Sequence, residues 1–484
     1  MVQGVHYCTG LNALLHSFDL HNEESLLVKL RKTRHIHFVG IGGIGMSGIA
    51  EVLANLGYEV TGSDLVKSET TKHLVQVGCK VSVGHAMENV GEADVVVISS
   101  AVKHDNPEVI AARQAGIPVV PRATMLNELM RMKYGIAIAG SHGKTTTTSM
   151  VATIMAEAGL DPTVVIGGKL GSLGTNARLG EGDFLLAEAD ESDGSFLQLT
   201  PTIAVVTNID NEHMDHYGSF DKLRTAFRRF LHKVPFYGRA ILCVDDTEVA
   251  GMLADLERSV IAYGLTAQAD VMASDVIHEG FTSTYTAFLS GERLGEVRLP
   301  VPGLHNVYNS LAAIAVGLEL EVPFDVIARA LASYAGTQRR FQKKGEAKGV
   351  EVYDDYAHHP AEISATLSAA RLGWKGRVVA LFQPHRFSRT KDLLPEFGMA
   401  FHNADRVLVC DIYAAGEDQI GTLTGEDVAR SITSHGHRSA EYVGECEEAV
   451  KKAVDELQDG DLLLTLGAGD VWKAGEQILE RLGK

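Results

Sequence analysis

Two stretches of the chain set a glycine-rich turn between an apolar run and a helix-forming run. They are "RHIHFVGIGGIGMSGIAEVLANLGYEVTGSD" at 34–64 and "YGIAIAGSHGKTTTTSM" at 134–150. A buried strand that ends in glycines and passes at once into a helix belongs in a parallel sheet with helices on its faces. Two such units a hundred residues apart call for two sheets. The apolar runs after the first unit, "CKVSVG", "ADVVVISSA" and "GIPVVP", extend one sheet. "DFLLAEAD", "TIAVVTNI" and "GRAILCVDD" extend the other. From about 270 to 300 the pattern changes: "TSTYTAFLSGERLGEVRLPV" alternates apolar and polar residues, as half-exposed antiparallel strands do. A helix beginning near Asn306 restores the α/β pattern. A third set opens at "GVEVYDDYAHHPAEI" and continues through "GRVVALFQPHRFSRT", "ADRVLVCDIY" and "GDLLLTLGAGD". The expectation is an α/β protein of three domains with boundaries near residues 122 and 336: a Rossmann-like domain with an N-terminal extension, a phosphate-loop ATPase-type central domain, and a second Rossmann-like domain. The length of 484 residues suits about three domains.

The formal net charge of −18 argues against a nucleic-acid partner, because no excess of Lys and Arg exists to displace counterions. Anionic ligands must be held by local features such as helix N-termini and single cations. The five cysteines, Cys8, Cys79, Cys243, Cys410 and Cys446, are scattered and odd in number, which fits free thiols in a reducing compartment. No run of about 18 apolar residues suits a membrane span, and the N-terminus lacks the pattern of a signal peptide. The expected location is the cytoplasm, with no membrane partner.

The first turn satisfies G-x-G-x-x-G with Gly40, Gly42 and Gly45, and Asp64 follows the last glycine by 19 positions. Backbone N–H groups in such a turn approach a pyrophosphate at a helix N-terminus, and the acidic residue is placed for ribose hydroxyls. The pattern alone fits any nucleoside diphosphate, NAD included. In the second unit Gly143 and its neighbouring amides can wrap a phosphate, Lys144 can reach β- and γ-phosphates, and Thr145 can ligate Mg²⁺. The general phosphate loop needs a glycine at 138, where this chain has Ile138. Downstream, Glu188, Asp190 and Glu191 leave one buried strand. Asn208, Asp210, His213, Asp215 and His216 leave another, and either group could serve Mg²⁺-ATP. Zinc is a weaker reading of the two histidines, which lack a third ligand motif.

The motifs "GSHGKTTT", "EADESDGSF", "TNIDNEHMDHYG", "PGLHNVYNSLAA", "RRF", "DDYAHHPAEI" and "FQPHRFSRT" together resemble the ATP-dependent peptidoglycan-precursor ligases, whose phosphate loop is the shortened G-x-x-G-K-T-T form. The resemblance runs in order from about Arg34 to the C-terminus. Ser141 stands where threonine is usual in that family, and the hydroxyl is kept. The resemblance implies that the first domain binds a UDP-sugar through Gly40, Gly42, Gly43, Gly45 and Asp64. The central domain would bind ATP through Gly140, Ser141, His142, Gly143, Lys144, Thr145, Thr146 and Asn306, with Asn309 a structural or second contact. Glu188 and His213 would hold a second Mg²⁺ beside the one on Thr145. Arg340 and Asp355, or Asp354 in its place, would reach back to ATP from the third domain. His359, His385, Arg386 and Arg389 would bind the amino acid, since paired guanidiniums on one turn suit a small carboxylate.

Within the family, "GIGGIGMSG" favours the activity that joins L-alanine to UDP-N-acetylmuramate through an acyl phosphate, in cell-wall synthesis. The alternatives are attachment of a whole recycled tripeptide to the same sugar nucleotide and, from another class, an NAD-dependent dehydrogenase. The second leaves "GSHGKTTT" unexplained.

Overall fold

The computed structural model describes residues 30, 32–99, 101–166 and 177–483; most of the N-terminal extension, with Cys8, lies outside them. The first sheet has five parallel strands, β1 (His35–Val39), β2 (Glu59–Asp64), β3 (Lys80–Val83), β4 (Val95–Ile98) and β5 (Val119–Pro121). Their spatial order is β3-β2-β1-β4-β5. The chain reverses its winding between β1 and β4, and the carboxyl ends there open onto the first glycine turn, the usual ligand crevice of such sheets. β2 runs past the apolar residues to Asp64, because its backbone pairs with β1 as far as Ser63 whatever the side chains.

The central sheet has ten strands: β6 (Tyr134–Ala139), β7 (Thr163–Val165), β8 (Ala177–Arg178), β9 (Phe184–Glu188), β10 (Ile203–Val206), β11 (Arg239–Cys243), β12 (Val260–Gly264), β13 (Val271–Glu279), β14 (Thr282–Leu289) and β15 (Glu292–Leu299). Its order is β15-β14-β13-β12-β11-β10-β6-β9-β7-β8. The strand feeding the phosphate loop, β6, lies between β9 and β10, so three strand ends converge. The alternating segment does form antiparallel strands, and β14 buries every second residue. These strands continue the main sheet, because β13 pairs in parallel with β12. Helix Leu304–Glu319 is apolar almost all round and buries most of its length against helix Lys144–Glu157 and the sheet.

The third sheet orders β16 (Gln342–Ala347), β17 (Val350–Asp355), β18 (Val378–Phe382), β19 (Arg406–Cys410), β20 (Ala440–Gly444) and β21 (Leu462–Leu466) as β16-β17-β21-β18-β19-β20. Only β16 is antiparallel among them. The first and central sheets share one core through helix Arg122–Arg131, whose Met125, Leu126, Leu129 and Met130 are buried with residues of both. Four cysteines, Cys79, Cys243, Cys410 and Cys446, are free thiols. Among the described residues no helix is long and apolar enough to cross a membrane.

Candidate functional site

The phosphate loop follows β6 and opens helix Lys144–Glu157. Gly140 and Gly143 have φ of 129° and 84°. A Cβ at Gly140 would collide with Thr207 Oγ1, and one at Gly143 with Asn309 Oδ1. Both glycines are therefore required by backbone angle and by crowding. The short loop is braced by the end of β10. Ser141 N–H donates to Asn208 O at 3.0 Å, and His142 N–H to Asn208 Oδ1 at 2.8 Å. The Ser141 hydroxyl accepts Asp210 N–H at 2.9 Å, which is the work of the hydroxyl at this position. Asn208 and Asp210, read from sequence as candidates for the Mg²⁺-ATP site, here shape the loop.

Lys144 Nζ donates to Gly140 O at 2.6 Å, Ser141 O at 3.0 Å and Glu191 Oε1 at 2.9 Å. Burial opposes its charge, but Glu191 and Asp190 outweigh burial and raise its pKa. His142 Nε2 lies 3.0 Å from Asp210 Oδ2. Burial again works against the charged form, and the hydrogen bond to Asp210 with the nearby Glu362 carboxylate overcomes it, raising the imidazole to about 10. The phosphate loop thus holds two cations at neutral pH.

A cavity of about 340 Å³ opens beside the loop. His142, Gly143, Thr145, Thr146, Asn306 and Asn309 line it from the central domain; Arg340, Asp355 and Glu362 close it from the third. Asn306 and Asn309 are buried, and Asn309 Nδ2 donates to Asn306 Oδ1 at 3.2 Å. Of the two neighbouring aspartates only Asp355 lines this cavity. It accepts N–H bonds from Phe341 and Ala357, each at 2.8 Å, and burial pushes its pKa up to about 6 against the pull of Arg340. Asp354 turns the other way, to Arg339 Nε at 2.9 Å and Thr465 Oγ1 at 2.7 Å. Arg339 also donates to Gly467 O and Gly469 O, so the glycine turn after β21 is held inside the third domain.

A smaller pocket of about 110 Å³ adjoins His213. Glu212, His213 and Met214 line it on one side; His359, Arg386, Arg389 and Leu393 line it on the other. His385 does not line it. Its Nδ1 lies 3.4 Å from Arg389 Nη1, and its ring stacks on Tyr413. Ligand atoms of Glu191, Glu212 and His213 lie within 4.8 Å of one another, and so do those of His142, Glu212 and His359. Glu188 ends β9, paired in register with Ile138, and belongs to neither group. Glu191 was among the strand-end carboxylates that the sequence offered, whereas Glu212 and Glu362 had no signal beyond standing inside chemistry-bearing stretches.

At the first turn Gly40 has φ 78°, and Gly43 caps helix Ile44–Asn55. Asp64 Oδ2 accepts Gly42 N–H at 2.9 Å and Oδ1 accepts Val66 N–H at 3.2 Å, so Asp64 ties the turn to the end of β2. Arg122 packs so closely over Gly45 that any Cβ there would collide with its guanidinium.

Three family models match the chain in succession: "Mur ligase family, catalytic domain" over residues 35–134, "Mur ligase middle domain" over 138–317, and "Mur ligase, glutamate ligase domain" over 339–469. The UDP-N-acetylmuramate–L-alanine ligase of Geobacter sp. (strain M21) is 57% identical over 93% of this chain and 98% of its own. That of Geotalea daltonii is 56% identical over 93% and 98%. The crystal structure of the UDP-N-acetylmuramate-alanine ligase of Thermotoga maritima superposes with a TM-score of 0.77 at 30% identity, covering 92% of this chain and 98% of that one.

Proposed function

The chain belongs to the Mur ligase family, and from that premise we propose that it joins L-alanine to UDP-N-acetylmuramate with ATP, as its relatives' names state of them. The observation that carries this reading is the adjacency of the two pockets. A cavity of nucleotide size lined by the phosphate loop lies beside a pocket of about 110 Å³ that holds two arginines, and His213 and Glu212 line the smaller one.

The reaction follows from the chemistry of the carboxylate. The lactyl oxygen attacks the γ-phosphorus of ATP, and ADP leaves. The alanine amine then attacks the acyl phosphate, and inorganic phosphate leaves. Lys144 supplies the positive charge that lets one anion approach another. Asn306 contacts the adenine, while Gly140, Ser141, His142, Gly143 and Thr146 surround the phosphates. Arg340 and Asp355 bear on the nucleotide from the third domain. Arg386 and Arg389 clamp the alanine carboxylate, with His359 beside them and His385 steadying Arg389. Gly40, Gly42, Gly43, Gly45 and Asp64 take the UDP portion, whose diphosphate meets the first turn.

The donor set fits a divalent cation such as Mg²⁺: carboxylate oxygens of Glu191 and Glu212 and an imidazole nitrogen of His213 lie within 4.8 Å of one another. Thr145 would hold one such ion, and Glu188 and His213 a second, with Glu191 and Glu212 near His213. When bound they neutralise phosphate and carboxylate oxygens.

Phosphate release measured with ATP, UDP-N-acetylmuramate and each amino acid in turn tests the assignment. L-Alanine should give the highest kcat/KM. Release that requires a tripeptide instead would assign the recycling activity, and no release with any acceptor would reject the ligase reading.

A further inference from the structure

Glu362 is the third residue of helix Pro360–Gly373 and has a local task. Its Oε2 accepts the N–H groups of His358 at 3.1 Å and His359 at 3.4 Å, one half of a capping box. One neutral oxygen would suffice for that. The other oxygen, Oε1, lies 3.4 Å from His142 Nδ1 on the phosphate loop and 3.5 Å from Arg340 Nη1. The side chain is only 12% exposed, so its charge is withdrawn from water and must be matched by these cations. Burial alone would raise its pKa, yet His358, His142 and Arg340 hold it well below the usual carboxylate range. The opposite nitrogen of His142 is bound to Asp210, so this imidazole stands between a carboxylate of the central domain and one of the third.

The cavity beside the loop is closed by Arg340, Phe341, Asp355, Glu362, Ala365 and Thr366. These third-domain groups form one wall of the cavity, and the Glu362–His142 contact exists only while that wall lies against the loop. We propose that Glu362 is a positioning residue that pins the third domain to the phosphate loop by bridging His142 and Arg340 with one buried carboxylate. It thereby sets Arg340 over the nucleotide without itself being a phosphate ligand. The inference rests on the ligase reading for its kinetic consequence, but its structural consequence stands without turnover.

Glu362→Gln separates the two tasks of the residue. Glutamine keeps a carbonyl oxygen for the cap and removes the charge. With ADP present, small-angle scattering should give a larger radius of gyration for Glu362→Gln than for the wild type, an arm that needs no catalysis. In turnover, kcat should fall about tenfold or more, as loss of charge-assisted contacts implies, while KM for the UDP-sugar stays unchanged. The double variant His142→Gln/Glu362→Gln should be no slower than the slower single variant, because both changes break one bridge. Equal radii with ADP, or single-variant losses that multiply, would overturn the proposal. So would kinetics of Glu362→Gln that match the wild type. A wild type that releases no phosphate while the difference in radius persists would instead reject the ligase reading and leave the bridge standing.

Discussion

Lys144 ends among two loop carbonyls and the Glu191 carboxylate. An ammonium with three acceptors is already satisfied, so turnover requires it to exchange some of them for phosphate oxygens. Lys144→Ala should abolish phosphate release while UDP-sugar affinity, measured by calorimetry, stays at the wild-type value. The first glycine turn lies on a different sheet, so lost sugar-nucleotide binding in a folded variant would contradict the division of labour between the two turns. Arg386 tests the other pocket. Its backbone φ is 70°, an angle uncommon outside glycine, and its Nε lies 3.9 Å from Glu417 Oε1, a loose pairing on a side chain 43% exposed. The guanidinium is therefore available to an incoming carboxylate. Arg386→Ala should raise KM for L-alanine roughly ten- to a hundred-fold, about 1.5–3 kcal/mol, with KM for ATP little changed. The reverse pattern in steady-state kinetics would move this arginine to the nucleotide.

At the scale of elements, the first sheet buries a charge that its strands cannot reveal from sequence. Glu108 is fully buried. Desolvation pushes its pKa up, but hydrogen bonds from His37, Ser63, Asn89 and the Ala86 N–H outweigh that and hold it at about 2. A folded pKa below the ordinary 4.5 means stabilisation that is fully present above pH 4.5 and fades as pH falls toward 2, worth roughly 3 kcal/mol at its plateau. Glu108→Gln should lower the thermal midpoint at pH 7, and the gap to the wild type should narrow as pH drops through that window. A gap independent of pH would mean that the carboxylate charge contributes nothing. The strands themselves were legible, because buried parallel strands such as Val95–Ile98 and Leu462–Leu466 are unbroken apolar runs. The antiparallel set was legible from its alternation, but not its attachment to the central sheet. That attachment rests on two backbone pairs between β12 and β13, which leave no side-chain pattern. The phosphate loop was readable because Gly143, Lys144 and Thr145 are adjacent in the chain. The contact of His142 with Asp210 and Glu362 was not, because it joins three elements that meet only once the domains pack.

On the proposed reading an adenine nucleotide and an amino acid occupy neighbouring cavities while the sugar nucleotide meets the glycine turn of the first sheet, and that division tests the mechanism. Alanine cannot displace an oxide ion from a free carboxylate at neutral pH, so one carboxylate oxygen must first become part of a better leaving group. If the γ-phosphoryl group is transferred, that oxygen ends in inorganic phosphate. If the nucleotide were transferred instead, it would end in AMP with pyrophosphate released. The arrangement favours the first route. Lys144, Thr145 and the His213 corner surround the end of the phosphate loop, where a nucleotide's terminal phosphate lies. The lactyl carboxylate labelled with ¹⁸O should therefore deliver one labelled atom per turnover to inorganic phosphate, read by mass spectrometry or by the isotope shift in the ³¹P spectrum. Label in AMP would overturn the phosphoryl route together with the role given to Lys144. No transfer of label, with the carboxylate recovered intact and no amide formed, would show that the carboxylate was never activated, and would return the glycine turn and Asp64 to the dinucleotide reading.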